Sequence, residues 1–265
     1  HALYGFARGA DDILDGFDSR SNSERADQLQ QLSTRLFNSL VENRHDEDNP
    51  TLTAVVHTAR KYDIGWDLFD DFLASMRMDL TVTDYPDRKS LERYMYGSAE
   101  VIGLQMLPVL GTVGPREEAA PYAAALGKAF QLTNFLRDID EDLSRGRIYL
   151  PADELAAHGV DRDVLEWGRQ NRRTDQKVRA ALAGRHAIPR AVYGPARPGI
   201  DPLAPSSRPC VTAAFTLYSD ILARIEAVDF EIFGRRVTVG KPRRLAVAVA
   251  GIGRAWANRV RYGSV

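Results

Sequence analysis

The sequence predicts an all-α protein that folds as one domain. Apolar residues recur every three or four positions along most of the chain, which is the period of an amphipathic helix. The intervals between these segments hold clusters of Gly, Pro, Asn or Asp. Alternating strand patterns are scarce, and 237–239 is too short to count as one. With 265 residues, 44% of them hydrophobic, the chain can bury the core of one large domain, which we assign to 1–265.

The periodicity places nine helical segments in order along the chain, and turn residues mark several of their ends. Asn49-Pro50 is typical of a helix start, because Asn accepts a hydrogen bond from the first turn and Pro needs no donor there. Ser90 is a second predicted start, and Gly111 and Gly146 are predicted stops. The predicted helices are 2–16, 23–43, 50–61, 66–80, 88–110, 117–143, 162–184, 209–232 and 241–261.

Six prolines fall within 186–209, which is the one compositional break in this pattern. Proline removes a backbone donor and clashes with the preceding turn. The sequence therefore predicts broken helix or an irregular connection here. The helical segments on both sides are needed to close one core, so this stretch is not expected to link two domains.

Charge is distributed unevenly along the chain. The net charge of −1 gives no whole-molecule reason to expect a nucleic-acid partner. No acidic residue follows Glu231, whereas eight Lys and Arg residues do. A basic end of this kind could meet phosphates or an anionic membrane surface, and it could equally be an ordinary solvated helix face.

The remaining composition bears on cellular location. No apolar run approaches the ~18 residues that span a membrane. The single cysteine, Cys210, excludes an internal disulfide framework and fits a reducing compartment. The chain begins with His1 and its first methionine is Met76, so we expect further sequence upstream.

The first predicted helix carries a stripe of polar side chains. Tyr4, Arg8, Asp11 and Asp15 are spaced 4, 3 and 4 residues apart, so they share one face. An arginine beside two aspartates has two interpretations. It can form an ordinary intrahelical ion pair, or it can grip a phosphate that metals on the aspartates also hold. This helix alone does not decide between them.

The helix predicted over 117–143 carries a more specific stripe. Gln131, Asn134, Asp138 and Asp142 follow one another at spacings of 3, 4 and 4, on a helix otherwise built of core residues. Oxygen ligands of this kind suit Mg²⁺, whereas zinc prefers His and Cys. Two carboxylate pairs that face each other across a bundle would require such cations. Arg137 flanks the stripe, and more cationic groups follow it at 145 and 147.

A third segment, Tyr94-Met95-Tyr96-Gly97-Ser98-Ala99, places aromatic residues beside small ones. These residues can be simple core. They can also wall an apolar channel for a hydrocarbon chain, in which the Tyr ring face stabilises a carbocation or the hydroxyl accepts a proton. Both interpretations are open at this point.

Taken together, these motifs resemble those of the squalene/phytoene synthase family. The second run is highly specific, and weaker similarity extends over nearly the whole chain, with bacterial phytoene synthases looking most similar. The matching runs are Tyr4-x-x-x-Arg8-x-x-Asp11-Asp12-x-x-Asp15, Gln131-x-x-Asn134-x-x-Arg137-Asp138-x-x-Glu141-Asp142 and Arg145-Gly146-Arg147-Ile148-Tyr149-Leu150-Pro151.

The resemblance implies an isoprenoid-synthase helical bundle around a central cavity, with one further helix upstream of this chain. It implies Mg²⁺ or Mn²⁺, held by Asp11, Asp15, Asp138 and Asp142 with help from Asn134. It further implies diphosphate binding by Tyr4, Arg8, Gln131, Asn134 and Arg137, and a catalytic Tyr94 near the reacting carbons.

The implied reaction joins two geranylgeranyl diphosphates head to head. The product is phytoene, formed through a cyclopropylcarbinyl diphosphate with release of two diphosphates, in carotenoid biosynthesis. This ending needs no reductant, so we expect no NADPH, and the sequence has no dinucleotide fingerprint. The first alternative is a synthase of squalene, dehydrosqualene or presqualene diphosphate that uses farnesyl diphosphate. The second is a non-catalytic relative that serves as an assembly or binding protein.

The same chemistry sets the expected partners and location. Prenyl diphosphates and their products are long hydrocarbons, so we expect peripheral association with the inner face of a bacterial membrane, from the cytoplasm. We expect no nucleic-acid partner, and a monomer or a weak homodimer.

Overall fold

The chain forms an all-helical bundle in the computed structural model, which describes 1–15, 20–44, 48–234 and 236–262; the side chains at 15 and 262 lie outside that description. In the described part the only β-type pairings are two isolated bridges. The α-helices are α1 (Ala2–Asp15), α2 (Asn22–Leu40), α3 (Pro50–Tyr62), α4 (Trp66–Met78), α5 (Arg88–Met95), α6 (Val101–Leu110), α7 (Arg116–Arg137), α8 (Ile139–Ser144), α9 (Ala152–Ala156), α10 (Arg162–Asn171), α11 (Gln176–Ala196), α12 (Arg208–Ala227) and α13 (Lys241–Tyr262). A π-helical turn, Tyr96–Glu100, joins α5 to α6, and a 3₁₀ turn, Arg197–Ile200, follows α11.

Local chemistry explains several helix ends. The predicted start at Asn49 is confirmed: its side chain accepts from the Leu52 amide, and Pro50 opens α3. Gly111 ends α6 with φ of 74°, a backbone conformation that residues other than glycine rarely adopt. The start predicted at Ser90 is displaced by one turn. Asp87 is the cap, and Ser90 completes the reciprocal hydrogen bonds from the third helical position.

Two predicted helices are divided in the structure. The segment 162–184 is interrupted after α10, where Arg172 adopts a left-handed conformation with φ of 51°, and Asp175 then caps α11. The segment 117–143 is interrupted at Asp138, between α7 and α8. Periodicity survives such breaks because the chain resumes helix within a few residues, which is why the spacing pattern did not reveal them.

The expectation for the proline-rich stretch was wrong in its first half. α11 continues through Pro189 and Pro195 to Ala196, and irregular structure begins only after that. α11 packs along α7, and Pro189 and Tyr193 are buried within it. We attribute the continuity to this burial, which offsets the hydrogen bonds that the prolines remove.

The core has two large parts with the candidate site between them. One cluster of buried side chains comes mainly from α1 to α4, and the other mainly from α7 to α12. A smaller aromatic cluster joins α5 to α7 and includes Tyr94, Phe135 and Tyr149. None of the described helices combines the length and apolar content needed to cross a bilayer.

Candidate active site

The two acidic segments meet at one cavity of about 280 Å³. α1 contributes Asp11, and the α7–α8 region contributes Asp138 and Asp142, although more than a hundred residues separate them in the chain. The structure therefore brings carboxylates from both predicted stripes to one place. The cavity is lined by Asp11, Leu14, Asp79, Tyr94, Gln131, Asn134, Phe135, Asp138, Asp142, Arg145, Arg147 and Tyr149.

The helix break at Asp138 leaves the polar stripe in register. Asp138 has φ of −105° and ψ of 13°, outside the α-helical region. Its amide still donates to the Asn134 carbonyl at 2.8 Å, and the Asp142 amide donates to the Asp138 carbonyl at 2.8 Å. Asp138 thus lies one hydrogen-bonded turn beyond Asn134, and Asp142 lies one such turn beyond Asp138. The three side chains therefore remain on one face.

Two arginines hold the carboxylate of Asp138. Arg137 donates from Nε to Oδ1 at 2.8 Å, and Arg236 donates from Nε to the same oxygen at 2.9 Å. Only 15% of the Asp138 side chain is exposed, so these bonds are poorly screened by water. Both arginines line a neighbouring cavity of about 240 Å³, together with Glu141 and Arg169. Asp138 therefore forms part of the wall between two polar cavities.

The pKa of Asp142 is strongly raised in the folded protein. Burial, and then the nearby carboxylates of Asp138 and Glu141, raise its pKa to about 7. The buried Oδ1 of Asn134 has no hydrogen-bond partner among the described residues. A crowded carboxylate and an unsatisfied amide oxygen beside it are the donors that a hard divalent cation satisfies.

These donors fit a Mg²⁺ or Mn²⁺ ion without forming a preassembled cluster. In the described part of the chain, no three His, Cys, Asp or Glu side chains come close enough to hold a metal on their own. Asn134 falls outside those residue types, and the Asp15 side chain lies outside the described residues. Asp11, Asn134, Asp138 and Asp142 are the described side chains that could hold such an ion, and this assignment stays a prediction.

A second group of contacts organises the aromatic wall of the cavity. The Tyr94 hydroxyl donates to Asp79 Oδ2 at 2.8 Å, and the Tyr149 hydroxyl donates to Asp79 Oδ1 at 3.2 Å. The Tyr149 ring stacks on Phe135 with centroids 4.4 Å apart. Burial, and then the charge of Asp79, raise the pKa of Tyr94, so its hydroxyl stays protonated and donates.

Asp79 was missed as a site residue at the sequence level. It belongs to neither polar stripe, and the weaker similarity outside the three matching runs did not mark it. It follows α4, whereas Tyr94 lies in α5 just before the π-helical turn. Such turns occur frequently at functional sites, because they redirect side chains without ending the helix.

The other predicted residues divide into those that reach the cavity and those that do not. Gln131, Asn134 and Tyr94 line it with the three carboxylates. Tyr4 is 73% exposed, and Arg8 pairs with Asp12 at 3.0 Å; neither lines the cavity. Arg137 faces the neighbouring cavity. Binding of diphosphate stays a prediction for all five residues named for it, as does any part played by the Asp15 side chain; the five are Tyr4, Arg8, Gln131, Asn134 and Arg137.

Sequence comparison identifies the family. The model of the squalene/phytoene synthase family matches residues 1–243. The chain belongs to this family. It is 34% identical over 250 residues to the chloroplastic phytoene synthase of Daucus carota, covering 92% of this chain and 60% of that protein. It is also 34% identical to the chloroplastic phytoene synthase 2 of Solanum lycopersicum, covering 92% of this chain and 77% of that protein.

The chain spans about three-fifths of the length of several of these relatives, including 56% of phytoene synthase 3 of Zea mays. Among solved structures, a ligand-bound dehydrosqualene synthase matches with a TM-score of 0.82 and 25% identity, over 97% of this chain and 86% of that one. The squalene synthase HpnC of Alicyclobacillus acidocaldarius has the same fold, with a TM-score of 0.75 and 24% identity, over 86% of this chain and 82% of that one. The predicted all-α isoprenoid-synthase fold is thus confirmed.

Proposed function

We propose that this protein is a phytoene synthase, a prenyltransferase that condenses two geranylgeranyl diphosphates head to head. The observation that carries the proposal is the convergence of Asp11 with Asp138 and Asp142 at one cavity. The similarity to phytoene synthases supports the choice of substrate and a place in carotenoid biosynthesis. The reaction passes through a cyclopropylcarbinyl diphosphate and releases two diphosphates.

The side chains of the cavity suit this chemistry. A bound Mg²⁺ or Mn²⁺ ion would supply the Lewis acidity that stabilises a departing diphosphate. Arg145 and Arg147 place positive charge at the same cavity. Tyr94 presents a buried aromatic ring, whose face stabilises a nearby cation. No reductant enters this sequence of steps, so the proposal includes no NADPH.

A separate apolar cavity supports a hydrocarbon substrate. It has a volume of about 240 Å³ between α6, α7 and α12, and its walls include Ile102, Met106, Leu126, Phe130 and Val211. Phe130 is the neighbour of Gln131, which lines the polar cavity. We propose that this apolar cavity accommodates part of a prenyl chain, away from the diphosphate.

The second candidate function is the synthesis of dehydrosqualene from farnesyl diphosphate, which is favoured by the structural likeness to a dehydrosqualene synthase. The test is to incubate the purified protein and Mg²⁺ with either the C20 or the C15 diphosphate and identify the hydrocarbon. Phytoene from the C20 substrate supports the proposal, and turnover of the C15 substrate alone supports the alternative. A protein that releases no diphosphate from either substrate would be a non-catalytic relative.

We also propose the organisation and location that go with this function. Residues 1–265 form one synthase domain, acting as a monomer or a weak homodimer with no nucleic-acid partner. The protein works from the cytoplasm at the inner face of a bacterial membrane, because its substrate and product partition into lipid. Supporting observations are the family membership and the basic segment after Glu231.

A further inference from the structure

The last helix, α13, exposes a continuous apolar stripe. Leu245, Val249, Ile252, Trp256 and Val260 are spaced 4, 3, 4 and 4 residues apart, so they share one face over four turns. Each of these side chains is between 60% and 70% exposed. Single apolar residues scattered over a protein surface are normal. A continuous apolar row of this length on a helix instead normally faces a core or a partner.

The opposite face of α13 is the one that packs on the protein. Val247, Gly251, Ala255 and Asn258 are its partly buried positions, and they form a second row at spacings of 4, 4 and 3. A Cβ added at Gly251 would lie 3.7 Å from the Ala213 Cβ on α12, and Asn258 Nδ2 donates to the Pro205 carbonyl at 2.7 Å. At about 100° per residue the two rows lie on nearly opposite sides of the helix. The apolar stripe therefore points away from α12.

The charge of α13 indicates what the stripe meets. The helix carries six Lys and Arg residues and no acidic residue. Arg243 pairs with Asp220 at 2.7 Å, which fixes the start of the helix on α12. Two copies paired through this stripe would bring cationic helices together, which is unfavourable. Apolar side chains between cations are instead the pattern of helices that lie in the interface of an anionic bilayer.

We propose that the apolar stripe of α13 docks this protein on anionic membranes, with Ile252 and Trp256 entering the interface. The proposal rests on the proposed function in one respect: a synthase of long hydrocarbons benefits from contact with lipid. Docking on lipid requires no turnover, so it can be tested separately.

The experiment measures binding of the full chain to vesicles of phosphatidylcholine with or without about one-third phosphatidylglycerol. We expect co-sedimentation with the anionic vesicles only, accompanied by a blue shift of Trp256 fluorescence. Ile252→Asp should weaken binding at least about tenfold, because a charge replaces buried apolar area. Val41→Asp is the matched control, because Val41 is 49% exposed at the end of α2, far from α13 in the chain, and it should bind normally.

Two further measurements separate the possible outcomes. Lys241→Gln should weaken binding to anionic vesicles by about fivefold, because Lys241 is exposed four residues before Leu245, on the side of the apolar stripe, and supplies one cation near the charged surface. Diphosphate release in detergent and the circular dichroism spectrum should be the same for Ile252→Asp as for the unchanged protein, which separates docking from catalysis and folding. The proposal is overturned if Ile252→Asp binds vesicles normally, if the unchanged protein ignores anionic lipid, or if Ile252→Asp merely dissociates a dimer.

Discussion

Asp138 shows how one carboxylate is shared between neighbouring groups. Arg137 and Arg236 neutralise it from one side, while Asp142 and Asn134 crowd it from the cavity side. The arginines lower the electrostatic cost of placing two aspartates four residues apart in a half-buried position. Burial, and then the charges of Asp138 and Glu141, raise the pKa of Asp142, and the charges of Arg145 and Arg147 offset this only in part.

The carboxylates give the first prediction. Asp11→Asn and Asp138→Asn should each reduce turnover of geranylgeranyl diphosphate by at least about a thousandfold, because a neutral amide binds a divalent cation and its diphosphate far less well. The helical circular dichroism signal should not change. Diphosphate release at saturating Mg²⁺ is the measurement.

Asp140→Asn is the matched control for these variants. Asp140 lies between Asp138 and Asp142 in sequence, but its side chain is 50% exposed and faces Arg169 at 3.7 Å. We expect near-normal turnover. If Asp138→Asn and Asp140→Asn were equally active, the assignment of the site would be wrong.

A second prediction concerns Asp79. Asp79→Asn keeps the size of the side chain but presents one donor where both tyrosine hydroxyls need an acceptor. We expect a loss of about 1–3 kcal/mol in stability from the mismatched hydrogen bond. Turnover should fall at least about tenfold as Tyr94 loses its orientation.

The measurements are thermal melts and steady-state kinetics with the C20 substrate. Asp70→Asn on α4, where the side chain is 56% exposed, is the control and should match the unchanged protein. A variant with normal kinetics and lowered stability would reduce Asp79 to a purely structural role.

At the level of elements, the approach of α7 to the α5–α6 connection positions the aromatic wall. A Cβ added at Gly127 would lie 2.2 Å from the Ala99 carbonyl oxygen in the π-helical turn. A Cβ at Gly103 would lie 2.2 Å from the Ala123 carbonyl oxygen on α7. Backbone atoms cannot move aside as a flexible side chain can, so these glycines set how closely α7 packs.

The third prediction follows from this contact. Gly127→Ala should destabilise the protein by about 1–3 kcal/mol through overpacking, although alanine is the better helix former. Gly253→Ala on α13 meets nothing within 4 Å, and it should be neutral or slightly stabilising. Chemical denaturation of both variants is the test, and an equal effect on stability would contradict the close approach.

For the whole molecule, the convergence of acids makes stability depend on metal and pH. The folded state favours the protonated form of Asp142, because its pKa of about 7 exceeds the usual value of 3.8. This contribution to stability is complete below about pH 3.8 and is lost as the pH rises through 7. A bound cation neutralises the carboxylates and so removes the cost of burying the charged form of Asp142. Protons compete with the cation for the same carboxylates.

The fourth prediction is therefore a pH-dependent effect of Mg²⁺. Added Mg²⁺ should raise the melting temperature more at pH 8 than at pH 5.5, and EDTA should reverse the increase. Asp142→Asn should remove most of the difference between the two pH values. A constant increase across this range, or the same pH dependence in Asp142→Asn, would contradict the prediction.

The sequence alone supported much of the fold and part of the site. Apolar periodicity located many of the helix ends within a few residues, and the caps at Asn49 and Gly111 were inferred from local chemistry. The stripe from Gln131 to Asp142 could be assembled in advance, because residues four apart must share a helical face. Local rules were less successful for the helix breaks at Asp138 and Arg172 and for the prolines in α11.

Residues close together in the chain account for the all-helical architecture, the two acidic stripes and the resemblance to the family. The packing of distant helices places Asp79 against Tyr94 and Tyr149, and it brings Asp11 to the same cavity as Asp138 and Asp142. It also decided that the apolar stripe of α13 faces away from α12. Periodicity fixes a side chain's direction about its own helix, whereas its neighbours depend on how distant helices pack.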